Sequence, residues 1–323
     1  MSLSETQLKL LQEFERGLDP QHPEHSRIPA RILGYGEIST VFAIQAEGLE
    51  GLAFKRLPLF RRMEEVDRYQ VTLDEYVRLL TEEAGLRLPH HEHAAFLRPF
   101  GKPVFYIVQA QLPAQSIGHK ALHHLPSQGV RDLVWQVLRE LRKVWEFNRR
   151  QERVRIGIDG QVSNWSIEGL DPDNPRIAGL PLSYLDTSTP LFRVGGAEQV
   201  DPELFLRSAP SFLVWILRLL FLKDVVDRYY DFHLVAVDLA ANFYKEQRPE
   251  LVAGAVGWIN EFFRGEAAEL GIAPLSENEV RSYYRQDALI WRLYLSMRKV
   301  DRTLHLRLLR REYPYILPGR IQR

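Results

Sequence analysis

The chain predicts an α+β architecture in two lobes: a small β-rich N-lobe with one long helix, then a larger, mainly helical C-lobe. Three observations carry this expectation. Between Ile28 and Leu57, branched and apolar side chains alternate with glycine-rich breaks, the texture of short strands and tight turns. Between Arg62 and Ala84, Leu73, Tyr76, Val77, Leu80 and Ala84 recur at helical spacing. Beyond Pro113 helical periodicity takes over most of the chain. With 323 residues the chain is long for one core, so a division into 1–112 and 113–323 is expected, near Leu112-Pro113.

In order, Thr6 to Arg16 set Leu8, Leu11 and Phe14 on one helical face, with Gly17 as a stop. Strands follow on either side of Leu33-Gly34-Tyr35-Gly36-Glu37-Ile38-Ser39-Thr40-Val41. A turn at Glu47–Gly51 leads into a third strand, Leu52–Leu57, which contains Lys55. The charged helix then runs to Ala84, ended by Gly85 and Pro89. Ala94–Pro99 and Val104–Gln109 read as a hairpin turning at Gly101-Lys102-Pro103. Val130–Phe147 is a buried helix with Val134, Val137, Leu138, Leu141, Val144 and Trp145 on one stripe. Trp165–Ile167 and Leu182–Leu185 read as short strands joined by the turn-rich Asp171-Pro172-Asp173-Asn174-Pro175. Helices are expected from Pro202 onward, with breaks near Pro249 and Pro274.

Composition narrows the class. Hydrophobic content of 45% and charged content of 26% are ordinary for a globular chain, and 42 basic against 42 acidic residues give no global charge. That balance gives no reason to expect nucleic acid or a membrane. The absence of cysteine excludes disulfides, thiolate metal sites and a cysteine nucleophile. Met1–Glu5 lacks the basic start and apolar run of a signal peptide. Phe212–Leu222 is about half the roughly 20 residues needed to span a bilayer and is interrupted by Arg218. No transmembrane segment and a cytoplasmic location are therefore expected, with Phe212–Leu222 read as a core helix.

The chemistry gathers at three places. Gly34 and Gly36 sit between two strands, where main-chain N–H groups can approach phosphate oxygens closely. Lys55 lies inside an apolar strand, where an unpaired ammonium is costly, so it needs a phosphate or carboxylate partner. Glu75 on the following helix is the preferred carboxylate, with Glu82 and Glu83 as alternatives. Finally, Asp159 and Asn164 stand five positions apart in an irregular segment, and Asp186 follows in Tyr184-Leu185-Asp186-Thr187-Ser188. Such oxygen donors form the minimum set for Mg²⁺ beside a reacting hydroxyl.

In this order the motifs resemble the protein-kinase-like fold, in a divergent branch similar to aminoglycoside and choline kinase-type phosphotransferases. The stretch from Leu33 to Val41 looks like the Gly-rich loop G-x-G-x-x-G-x-V, with Ser39 at the third glycine. Phe54-Lys55 resembles the nucleotide-binding strand lysine, Asp74–Leu80 the following helix, and Phe105–Pro113 the interlobe hinge. Asp159 to Asn164 matches the D-x-x-x-x-N interval. The resemblance implies ATP and Mg²⁺ as cofactors, with Gly34, Gly36 and Ser39 over the phosphates. Lys55 would pair with Glu75, Gln109 and Gln111 would stand at the hinge, and Asp159 would orient the acceptor hydroxyl. Asn164 and Asp186 would hold the metal. Two departures stand out. Gly157 and Ile158 replace the residues that brace the loop before the catalytic aspartate, and Thr187-Ser188-Thr189 lacks the glycine of D-F-G.

The function expected is phosphoryl transfer to a small-molecule hydroxyl. The alternatives are a catalytically inactive nucleotide-binding pseudokinase or scaffold and, behind it, a nucleotidyl-transferring relative. Pro89-His90-His91-Glu92-His93 and His123-His124 read as solvated loops. Arg298–Arg323, with eight basic residues and only Asp301 and Glu312 as acids, reads as a solvated helix face and tail, with binding of an anionic substrate or membrane headgroup as the alternative.

Overall fold

The structure is a computed structural model that describes residues 3–36, 38–98, 101–171, 173–201, 203–207 and 226–319. The segment Phe212–Leu222, expected as a core helix, and Glu37 of the glycine loop lie outside the described residues, as do Pro99, Pro172, Pro202 and the tail from 320.

Helix α1 (Glu5–Arg16) starts at a reciprocal cap between Ser4 and Gln7. It buries Leu11, Phe14 and Glu15. Next comes a five-stranded antiparallel sheet of β1 (Ala30–Tyr35), β2 (Thr40–Ile44), β3 (Leu52–Leu57), β4 (His91–Leu97) and β5 (Pro103–Ala110), in the order β1-β2-β3-β5-β4. Strand alternation divides its side chains between two cores. Phe42, Phe54, Val104, Tyr106 and Val108 point to α1 with Leu11 and Phe14. Leu57, Phe105 and Ile107 point the other way, to Val66, Tyr69 and Leu73 of α2 (Met63–Arg78). Covered on both faces, β5 reads as a nearly continuous apolar run.

One buried ion pair ties α1 to the sheet. Glu15 accepts from Arg56 at 2.6 and 2.7 Å and also from the Tyr106 hydroxyl. The helix expected to run unbroken to Ala84 is α-helical only to Arg78, and a wider five-residue turn, Leu79–Glu83, completes it. The hairpin strand begins earlier than expected, so His91 and His93 lie in β4 rather than in a loop. Ladder pairing with β5 reaches back to His91↔Gln109, and the His93 ring packs on Phe105 at 5.2 Å.

Beyond Pro113 the chain is mainly helical. Helix α3 (Ser127–Arg150), α4 (Phe232–Lys245), α5 (Val252–Arg264) and α6 (Glu277–Thr303) enclose the largest core, with Trp145 stacked on Phe232 at 4.5 Å. Short strands pair between the helices: β6 (Val154–Ile156) with β9 (Phe192–Val194), which also pairs with β10 (Ala197–Glu198), and β7 (Trp165–Ile167) with β8 (Leu182–Tyr184). Tyr76 and Leu80, from α2 and the turn after it, join this core, so α2 reaches both parts of the molecule. No helix among the described residues is long and apolar enough to cross a membrane.

Candidate active site

A single row of cross-strand neighbours passes through the sheet: Gly34↔Val41, Val41↔Lys55, Lys55↔Ile107 and Ile107↔His93. Gly34 sits at a register shift in β1, and the hairpin closes where the Gly36 N–H donates to the Ser39 carbonyl at 2.9 Å. A Cβ on Gly36 would come within 2.7 Å of Ser39 Oγ, so a larger residue there would push the Ser39 hydroxyl aside. The Gly36 N–H is thereby committed to the turn itself.

Lys55 projects from the α2 side of the sheet and meets residues more than a hundred positions away. Its ammonium donates to Asp186 Oδ1 at 2.7 Å and to Ser188 Oγ at 3.0 Å. Ser188 Oγ in turn donates to Asp186 Oδ1 at 2.7 Å, and Tyr69 on α2 donates to the Ser188 carbonyl at 2.8 Å. The lysine's need for a partner is met by Asp186, not by Glu75. Glu75 accepts two bonds from Arg78 at 2.9 Å on the outer side of α2, and Glu82 and Glu83 lie against the same arginine. The reason is helical phase. The inward row of α2 is Val66, Tyr69, Leu73 and Tyr76, and Glu75 falls about 100° from Tyr76 at 3.6 residues per turn.

Asn164 and Asp186 meet at one end of the β7–β8 hairpin. Trp165 pairs with Tyr184, and the Leu185 N–H donates to the Asn164 carbonyl at 2.8 Å. The long interval between them is absorbed by the far end of this hairpin. An amide oxygen and a carboxylate are donors of the kind Mg²⁺ takes, and the hairpin brings the backbones of Asn164 and Asp186 together. Among the described residues, the one close group of three His and carboxylate donors lies elsewhere, at the exposed His22, Glu24 and His25.

The Asp159 carboxylate accepts from the Gln161 N–H at 3.0 Å, and Asn164 Nδ2 donates to the Asp159 carbonyl at 3.3 Å. The loop around Asp159 is held from outside by other elements. Tyr76 donates to the Gly157 carbonyl at 2.9 Å, the Ile158 N–H donates to the Tyr229 carbonyl at 3.0 Å, and Asn242 Oδ1 accepts from the Val162 N–H at 2.6 Å. Gly157 is small for a reason: a Cβ there would lie 3.0–3.1 Å from the Tyr230 ring. Tyr230 is itself held by Glu198 at 2.5 Å and by Arg193, 4.0 Å over its ring.

Electrostatics separates the two aspartates. Burial first, then the charges of Asp238 and Asp186, push the Asp159 carboxyl up to about 7. Burial also acts on Asp186, but the Lys55 ammonium and the hydrogen bonds from Lys55 and Ser188 outweigh it and hold that carboxyl below its ordinary value. One acid is poised to exchange a proton near neutrality while the other stays ionised.

Of the two hinge glutamines, Gln109 pairs with Ala53 and shares the sheet face of Lys55. Gln111 donates its N–H to the Gly51 carbonyl at 2.7 Å and lines a hollow of about 450 Å³ at the β2–β3 turn, which includes none of Lys55, Asp159 or Asp186. Sequence reasoning missed Ser188, Tyr69, Tyr76, Tyr230 and Asn242. The available signal was Tyr69 and Tyr76, seven positions apart on the apolar stripe of α2, where a hydroxyl needs a buried acceptor.

The model of a family of unknown function, DUF6206, matches residues 21–302. No curated protein matches the sequence. Two of the solved structures similar to the chain are each only weakly alike. One is WaaP in complex with acyl carrier protein, at 14% identity and TM-score 0.30, covering 63% of this chain and 90% of that one. The other is the GDP complex of a point mutant of the aminoglycoside 2'-phosphotransferase-IIIa, at 12% identity and TM-score 0.34, covering 79% and 92%. TM-scores this low establish no residue correspondence.

Proposed function

The chain belongs to the DUF6206 family, and we propose that it is an ATP- and Mg²⁺-dependent phosphotransferase of protein-kinase-like, two-lobed architecture, acting in the cytoplasm on a small-molecule hydroxyl. The observation that carries the reading is the Lys55–Asp186 contact at 2.7 Å, beside a second aspartate whose carboxyl is pushed up to about 7. A lysine from a sheet and an aspartate from a distant hairpin meet there, next to an amide on the same hairpin end.

In this reading the Gly34–Ser39 hairpin covers the nucleotide phosphates, and Lys55 neutralises the α- and β-phosphate oxygens. Asn164 and Asp186 would hold Mg²⁺, which would offset charge on the phosphates. Asp159 orients the acceptor hydroxyl and takes its proton. The hydroxyl oxygen bonds to the γ-phosphorus as the bond to the β–γ bridging oxygen breaks, and ADP leaves. A base near neutrality suits that proton transfer.

The test is thermal denaturation with ATP, with and without Mg²⁺, in the wild type and Asp186→Asn. At a hundredfold excess over Kd, binding to the native state adds about 2.7 kcal/mol. A metal-dependent rise in Tm that shrinks in Asp186→Asn supports the proposal, and no nucleotide effect in either protein overturns it. ATP turnover abolished by Asp159→Ala separates the enzyme from a nucleotide-binding pseudokinase.

A further inference from the structure

We propose that the outer face of α6 is a docking surface on which the protein lies against an anionic lipid bilayer. Seven of the twelve exposed large apolar residues among the described residues fall between 289 and 309. Leu289, Leu293 and Leu308 are 66%, 58% and 73% exposed. On the helix and the turn that continues it, Leu289, Ile290, Leu293, Val300 and Leu304 fall within an arc of about 100° at 3.6 residues per turn. The buried residues Val280, Ala288, Leu295 and Arg298 occupy the opposite side. The apolar stripe therefore faces away from the core and extends about 22 Å at 1.5 Å per residue.

The charge beside the stripe identifies the partner. Arg281, Arg285, Arg292 and Lys299 are exposed along one flank of it. From Arg281 to Arg311 there are eight basic residues besides the buried Arg298 and two acidic ones, in a chain whose total is balanced at 42 and 42. An apolar stripe bordered by a basic ridge is the pattern of a helix lying in the plane of a membrane interface, where acyl chains receive the leucines and anionic headgroups meet the arginines. A second copy fits less well. An antiparallel twofold contact through α6 would set this basic ridge against itself.

The test uses the full chain and sedimentation with vesicles of phosphatidylcholine, with or without phosphatidylglycerol. The protein is expected to sediment with the anionic vesicles, less so at high salt, and not with the neutral ones. Leu293→Asp, and separately Arg285→Glu with Arg292→Glu, should each lower the partition at least about tenfold while keeping the wild-type Tm. Absence of binding, equal binding to neutral vesicles, or variants that bind like wild type would overturn the proposal. So would a fall of several degrees in Tm for Leu293→Asp, which would mean that the chain itself covers this face. A concentration-dependent dimer lost in Leu293→Asp would instead assign the face to a second copy.

Discussion

Replacing Asp159 by Asn probes the electrostatics of the site without removing its shape. Burial and the charges of Asp238 and Asp186 raise this carboxyl from 3.8 to about 7. A group whose folded-state value is raised stabilises the protein fully below its unfolded value, and that stability is lost as pH climbs through the folded value. Wild type therefore loses stability between pH 4 and pH 7 on account of Asp159, whereas an amide at the same position does not titrate. From about pH 5 to about pH 8 the wild type should lose about 2.7 kcal/mol relative to Asp159→Asn, at about 1.36 kcal/mol per pH unit. For a chain of 323 residues that corresponds to about 4 °C in Tm. The assay is the Tm of both proteins across that range in matched salt. Parallel curves would refute the assignment of a near-neutral carboxyl to Asp159, and with it the general-base role.

Three further outcomes follow from the contacts. Gly157→Ala forces a methyl against the Tyr230 ring and should cost about 1–3 kcal/mol in denaturant unfolding, with a matching loss of activity. Glu15→Ala leaves the buried Arg56 guanidinium without its carboxylate and should cost about 3–5 kcal/mol, whereas loss of less than about 1 kcal/mol would mean that water reaches it. Glu75→Ala removes only a partly exposed pair with Arg78, so it should change stability by less than about 1 kcal/mol and leave the Mg²⁺-dependent nucleotide shift intact.

What was legible in the sequence was what depends on neighbours along the chain. Strand alternation and the glycines marked β1, β2 and β3, helical spacing marked α2 and α3, and a lysine in an apolar strand announced that it needed a partner. The tertiary structure alone chose that partner. Whether Lys55 meets Glu75 or Asp186 depends on the rotational phase of α2 against the sheet, and one position along a helix turns a side chain by about 100°. The bracing of Gly157 was equally hidden, because Tyr76, Tyr230 and Asn242 come from separate helical segments and carry no shared spacing. The same holds for the last helix. Its basic residues were countable in the sequence, but which leucines face outward was decided by the side of α6 that the core had already taken.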